Sequence, residues 1–279
     1  MKVTLRMGVE MMEKIIAEFF EELVRMGRSE CTVAGYKNDI SQFEKHCGER
    51  LTAETFRLLV RDFLAAHSNQ SPRTVRRKYA ALRSLAKFGN LNFDNICLPK
   101  IPKRLPKSLR QHEIEKLFML LRKDRKSPNY LRDLAIFELL YCGLRNAELR
   151  RLTHESFDFP AKMVKVIGKG DKEVIYNLSD AAVDATKEYI ERRRTQQLFN
   201  LTGGGLIFMV ANRSQRYIGK RITPHTLRHS MAMHVLLAGA DIRMVQKMLN
   251  HSSIATTQIY TEAYDDVVAK AFNTCHPHN

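Results

Sequence analysis

The segment LPKIPKRLPK, residues 98–107, divides this chain into two parts. Pro99, Pro102 and Pro106 stand close together in it. Proline fixes φ and lacks a backbone donor, so the segment forbids a helix and favours an extended strap. Lys100, Lys103, Arg104 and Lys107 make it basic. It reads as a solvated linker or as a strap lying along phosphates. The expected division is a helical domain over 1–98, a linker over 99–107 and a second domain over 108–279.

Upstream, apolar residues recur at helical spacing. Ile15, Ile16, Phe19, Phe20 and Leu23 mark a helix over 11–26. Val33, Tyr36, Ile40 and Phe43 mark another over 31–46, and a third is expected over 52–67. A fourth opens at Ser71-Pro72, a cap followed by proline at the first helical position. One face of this helix carries Val75, Tyr79, Leu82 and Leu85; the other carries Arg73, Arg76, Arg77, Arg83 and Lys87. That spacing lays cations along a DNA groove wall. A merely solvated face usually mixes signs, and this one has no acid after Asp62. Reversing Arg76 and Arg77 is expected to weaken DNA binding without unfolding the domain.

Downstream, helices are expected over 111–122, 130–141, from 148, and over 180–199, 224–238, 242–249 and 254–260, with another near the C-terminus. Between them the period changes. MVKVI (163–167) and EVIYNL (173–178) flank GKGDK (168–172), a hairpin with a glycine-rich basic turn. Thr223-Pro224, Asp241 and Ser253 are helix-start signals.

Charge names the class of partner. The 279 residues carry 46 Lys and Arg against 30 Asp and Glu, a net charge of +16. Such a surplus points to a polyanion, nucleic acid above all, with an anionic membrane as the rival. No apolar run reaches the roughly 18 residues of a membrane span. Glu10, Glu13 and Glu18 interrupt the first apolar stretch, against a signal peptide. The 5 cysteines are scattered without a CxxC pair, which supports neither a disulfide framework nor a zinc site and fits a reducing cytoplasm. There is no GxxxxGK[ST] loop, which argues against an ATP-driven motor.

The chemistry concentrates in TPHTLRHS, residues 223–230. His225 and Arg228 share a face in the first turns of a helix whose N-terminus favours an anion. An imidazole and a guanidinium there can cradle a phosphate. His225 with His229 as a metal pair lacks both a third ligand and the glutamate of the zincin pattern. Arg145, Lys169, His251 and Tyr260 are each unremarkable alone. The order Arg, Lys, His-x-x-Arg, His, Tyr is not.

Here the chain resembles the tyrosine recombinase (phage-integrase) family, and within it the Xer subgroup. The carrying stretches are GLRNAELRRLTHESFD (143–158), VIGKGDKE (166–173) and TPHTLRHSMAMHVLLAGADIRMVQKMLNHSSIATTQIYT (223–261). The short length looks most like the archaeal, XerA-type members. One departure is Asn250, where the family usually has glycine.

The resemblance implies a mainly α fold arranged as a two-domain DNA clamp. Its N-terminal part is a helical bundle, the SAM-like core-binding domain. Its second part is a mainly helical catalytic domain with a small antiparallel β-sheet. It implies site-specific strand exchange on double-stranded DNA through a 3′-phosphotyrosyl intermediate. Tyr260 is then the nucleophile, Arg145 and Arg228 bind the non-bridging oxygens, and Lys169 protonates the leaving 5′ oxygen. His225 helps take the tyrosine proton, and His251 bonds a phosphate oxygen. No metal or other cofactor enters. Four subunits acting on two sites, with the C-terminal tail exchanged between neighbours, are further expectations, as is a dif-like target for chromosome dimer resolution. A mobile-element integrase and a type IB topoisomerase share the chemistry.

Overall fold

The computed structural model describes residues 2–101, 108–168, 173–192 and 197–250. The chain divides into two compact units, Met1–Lys103 and Arg104–Asn279.

The first unit holds α1 (Lys2–Arg25), α2 (Glu30–Cys47), α3 (Phe56–Ala66) and α4 (Pro72–Phe88). The helix expected from residue 11 starts at Lys2, since no proline interrupts the segment before it. Ser29 and Ser71 accept the backbone N–H of Thr32 at 3.3 Å and of Thr74 at 3.2 Å, closing the first turns of α2 and α4. The expected stripes face inward: Ile16, Phe19, Ile40, Phe43, Leu82 and Leu85 are all buried. Phe43 meets Phe56 and Phe63 edge-on, with ring centroids 5.5 and 5.4 Å away. Each buried side chain of this size contributes about 1.5–3 kcal/mol over leaving it in water. The chain leaving α4 packs back through Leu91, Phe93, Ile96 and Leu98. Arg57 and Arg61 of α3 hold Asp94 there at 2.9 and 3.0 Å.

The second unit comprises α5 (Gln111–Lys123), α6 (Tyr130–Tyr141), α7 (Asn146–Leu149), β1 (Phe157–Asp158), β2 (Met163–Ile167), β3 (Glu173–Asn177), α8 (Asp180–Arg192), α9 (Gly203–Ile218), α10 (Pro224–Leu237) and α11 (Ile242–Met248). The strands form one antiparallel sheet in the order β1-β2-β3, with Val164 opposite Tyr176. The whole is mainly helical with a small sheet, as the sequence implies. The core gathers around α6, whose residues Leu134 to Leu140 are buried on every side.

Three helices of the second unit depart from the sequence reading. The helix beginning near Glu148 is a single turn, α7. The helix expected to reach residue 199 is described over Asp180–Arg192, and residues 197–199 are not helical. Helix α9 was not expected at all, because Gly203-Gly204-Gly205 opens it and each glycine costs about 1 kcal/mol relative to alanine. Thr202 offsets this by capping Gly205 N–H at 3.0 Å, and Leu206 and Val210 are buried. The expected helices over 254–260 and beyond, the Ser253 start signal and the turn at 169–172 lie outside the described residues.

Helix α10 is held at both ends. Thr223 accepts Thr226 N–H at 3.3 Å, with Pro224 at the first helical position. On the rear face, Ser230 accepts Leu109 N–H at 2.8 Å. His234 bridges the Tyr141 hydroxyl at 2.8 Å and the Leu109 carbonyl at 2.9 Å. Because α10 carries His225 and Arg228, these contacts fix where those two side chains start.

Candidate functional site

Arg145 stands at the residue preceding α7. Its backbone N–H donates to Glu148 Oε2 at 2.7 Å, and its Nη1 donates to Glu148 Oε1 at 2.7 Å. Nη2 reaches the carbonyls of Leu249 at 3.3 Å and Asn250 at 3.1 Å. Arg228 lies one turn into α10, buried, and donates to the carbonyls of Gly143 and Leu249. The Leu249 carbonyl therefore accepts from both guanidiniums.

A second group joins the two arginines. The Tyr176 hydroxyl on β3 accepts from Arg145 Nη1 at 3.4 Å and from Arg228 Nη1 at 3.2 Å. It donates to Glu148 Oε2 at 2.9 Å. Neither Tyr176 nor Glu148 was singled out from the sequence. The available signals were a tyrosine following Val174 and Ile175 in a short strand, and an acid three residues after Arg145.

Two backbone conformations shape this junction. Gly143 has φ of +101°, a region that disfavours L side chains, and this turns its carbonyl toward Arg228. Asn250 has φ of +45° just past the end of α11. Helices often end on a left-handed residue, usually glycine and sometimes asparagine. The departure from the family's glycine is thus met by the side chain that best tolerates the same turn.

His225 is exposed in the first turn of α10, one turn before Arg228. The protein packed around its ring, together with the charges of Arg228 and Arg145, pushes its pKa below the ordinary value. The imidazole is therefore neutral near pH 7 and able to accept a proton. His229 is half-buried and pushed down too, by burial first and then by His225 and Arg228. Among the described residues, no cluster of three or more His, Cys, Asp or Glu side chains suits a metal ion. The structure thus brings Arg145, His225 and Arg228 into one neighbourhood. Lys169, His251 and Tyr260 lie outside the described residues.

On α4 the five basic residues divide. Arg73, Arg83 and Lys87 are exposed. Arg76 Nε donates to the Pro99 carbonyl at 3.0 Å, and Arg77 Nη2 lies 3.0 Å from Asp39, a fully buried carboxylate. Burial pushes the Asp39 pKa up, and the charges of Arg77 and Lys78 oppose it. Lys78, adjacent on the helix, is itself buried, with its ammonium 4.9 Å from the Phe63 ring centroid and bonded to Gln42. Reversing Arg77 sets a carboxylate beside Asp39, so the expectation that this change leaves the fold intact is corrected. The informative set is Arg73→Glu, Arg83→Glu and Lys87→Glu. For each phosphate that a variant no longer neutralises, the slope of log affinity against log salt should become shallower by about 0.9. Fluorescence anisotropy on a DNA duplex at several salt concentrations reads the slope, with the melting temperature unchanged. Arg77→Glu should lower the melting temperature. Lys100 is exposed; Lys103 and Arg104 lie outside the described residues.

Among the described residues, no helix is long and apolar enough to cross a membrane. Residues 107–266 match the phage integrase family, and residues 16–89 match the phage integrase N-terminal SAM-like domain. Tyrosine recombinase XerC of Neisseria meningitidis serogroup B is 34% identical over 97% of this chain and 98% of its own. Tyrosine recombinase XerD of Staphylococcus aureus is 33% identical over 95% of this chain and 99% of its own. Among solved structures, XerA recombinase matches 95% of this chain and 99% of its own, with a TM-score of 0.54 and 26% identity. XerH site-specific recombinase, in a post-cleavage complex with palindromic difH substrate, covers 86% of this chain and 78% of its own. Its TM-score of 0.71 at 23% identity is a likeness of fold. Matching over both units and over nearly the whole length of its relatives, the chain belongs to the phage integrase family and is a tyrosine recombinase, an enzyme that cleaves and rejoins DNA at specific sites.

Proposed function

We propose that this enzyme exchanges strands at a dif-like chromosomal site in the cytoplasm and so resolves chromosome dimers. The observation that carries the reading of the site is the convergence of Arg145 and Arg228 on one hydroxyl and one carbonyl, beside a neutral His225. Two planar, permanently charged forks suit the two non-bridging oxygens of a phosphodiester. The Xer names of its relatives, and difH in the XerH complex, favour the dif-like target.

In this reading the Tyr260 oxygen attacks phosphorus, and the bond from phosphorus to the 5′ oxygen breaks. His225 takes the phenol proton, and Lys169 gives a proton to the departing 5′ oxygen. Arg145, Arg228 and His251 hold the charge that develops on the non-bridging oxygens. The 3′-phosphotyrosyl bond conserves the energy of the broken one, so rejoining needs only reversal of the step. Residues 1–98 are the core-binding domain, 99–107 the linker and 108–279 the catalytic domain. Four subunits act on two sites, each passing its C-terminal tail to a neighbour.

Genomic DNA trapped covalently on the protein tests the target. One short site on the chromosome is the expected result. Recovery of mobile-element ends instead makes the enzyme an integrase, and recovery without any preferred sequence makes it a relaxing topoisomerase.

The His225 role predicts a pH profile. A base works only while neutral, and the imidazole here is depressed. Single-turnover cleavage should therefore persist below the ordinary histidine pKa of about 6.5 before it falls. In NMR titration of the protein, the His225 ring should protonate below that value. Arg145→Gln, which removes one of the depressing charges, should move it upward.

A further inference from the structure

We propose that Tyr176 is a positioning residue for strand cleavage: its hydroxyl couples Arg145 to Arg228 and sets the spacing of the two forks around the phosphate. The inference rests on the reading that these arginines bind the scissile phosphate.

A phenol hydroxyl has one proton to donate and two lone pairs with which to accept. Tyr176 uses all three: the proton on Glu148, one lone pair toward Arg145 and the other toward Arg228. Among the described residues it is the side chain that bonds to both guanidiniums; the other shared acceptor is the Leu249 carbonyl. Register on β3 places it there. Tyr176 faces inward opposite Val164, while Ile175 and Asn177 face out. Its ring is buried beside Gly143, whose carbonyl Arg228 also holds. Burial raises the phenol pKa, which keeps the proton on the oxygen for Glu148. The hydroxyl cannot slide without breaking a bond to one of three charged groups. Of the five donors of a guanidinium, the described bonds leave Arg145 its Nε–H, and leave Arg228 its Nε–H and one Nη2–H, for an oxyanion.

Tyr176→Phe deletes that oxygen and keeps the ring. Misplacement of catalytic groups by about 1 Å can cost about 10²-fold in rate. We expect single-turnover cleavage to fall about 10- to 10²-fold, with DNA affinity within about twofold of the parent. A second substrate separates positioning from general damage. In methylphosphonate DNA one non-bridging oxygen is a methyl group, so the phosphorus centre is neutral and the demand for two aligned cations drops. The deficit of Tyr176→Phe relative to the parent should shrink on that substrate. A deficit equal on both substrates, or cleavage at the parent rate on phosphate, overturns the role of Tyr176. Should Tyr176→Phe fail to fold, a ring-fluorinated tyrosine at the same position keeps the hydroxyl but weakens it as an acceptor. It should show the same substrate-dependent deficit, and its absence overturns the proposal. Arg145→Ala runs alongside. Full cleavage of ordinary DNA by that variant defeats the reading of the arginines themselves. Its inactivity beside a fully active Tyr176→Phe defeats the inference about Tyr176 alone.

Discussion

Tyr260→Phe is expected to fold, to bind DNA as the parent does and to form no covalent adduct. The substitution removes one oxygen, and that oxygen is the proposed nucleophile. Phenylalanine has no lone pair to offer phosphorus, so the loss should be complete rather than partial. The checking measurement is a radiolabelled duplex incubated with protein and resolved on a denaturing gel, where the parent gives a slow-migrating protein–DNA band. A band of equal strength from Tyr260→Phe moves the nucleophile elsewhere, with Tyr264 next in line. The binding half matters equally. Net charge of +16 and the exposed cations of α4 are untouched by the change, so a gel shift at moderate salt should be unaltered.

The second large effect concerns Lys169 and comes from leaving-group chemistry. An alkoxide leaves poorly without a proton; a thiolate leaves well. Thiols have a pKa of about 8.5, against about 15.7 for water as a stand-in for an alcohol. If Lys169 is the acid, Lys169→Ala should cleave ordinary DNA about 10²- to 10⁴-fold more slowly, the usual range for general acid catalysis. Sulfur in place of the bridging 5′ oxygen should return most of that rate. Arg145→Ala should stay slow on both substrates, because charge on the non-bridging oxygens still needs a partner. Rescue of Lys172→Ala by sulfur without rescue of Lys169→Ala transfers the role along the same hairpin.

What the sequence disclosed and what it withheld divide along a physical line. The arginine and histidine of TPHTLRHS are legible because a cap, a proline and helical spacing place both side chains from local rules alone. The helical stripes of α2 and α4 are legible for the same reason. Helix α9 was hidden because its first turn is three glycines, and only the burial of Leu206 and Val210 outweighs their cost. The commitment of Arg77 to Asp39 was hidden because the partners sit on different helices. One local hint existed. Lys78 shares a helical stripe with Val75, Leu82 and Leu85, and a lysine among core positions signals an internal partner. Tyr176 was hidden in the alternation of a short strand, where an aromatic residue reads as filler for the core. The family matches cover both units and add the class of chemistry; they do not by themselves point to that hydroxyl.

The backbone at Gly143 bears on how mutational scans of this enzyme are to be interpreted. Gly143 has no functional group, yet its φ of +101° directs a carbonyl onto Arg228. A β-carbon there is crowded by the tip of the Met231 side chain at 2.8 Å, a flexible neighbour that can move aside, while Leu249 at 3.6 Å and Tyr176 at 3.9 Å stand at ordinary van der Waals distance. Torsion therefore decides the outcome, at a cost on the order of 1–3 kcal/mol for holding an L side chain in such a region. In a scan scored by recombination, Gly143 should rank with the residues that touch phosphate. Position 250 should accept glycine and little else beyond its native asparagine. A tolerance map alone will thus enrol these two positions among the chemical groups, although what selection holds fixed there is a dihedral angle.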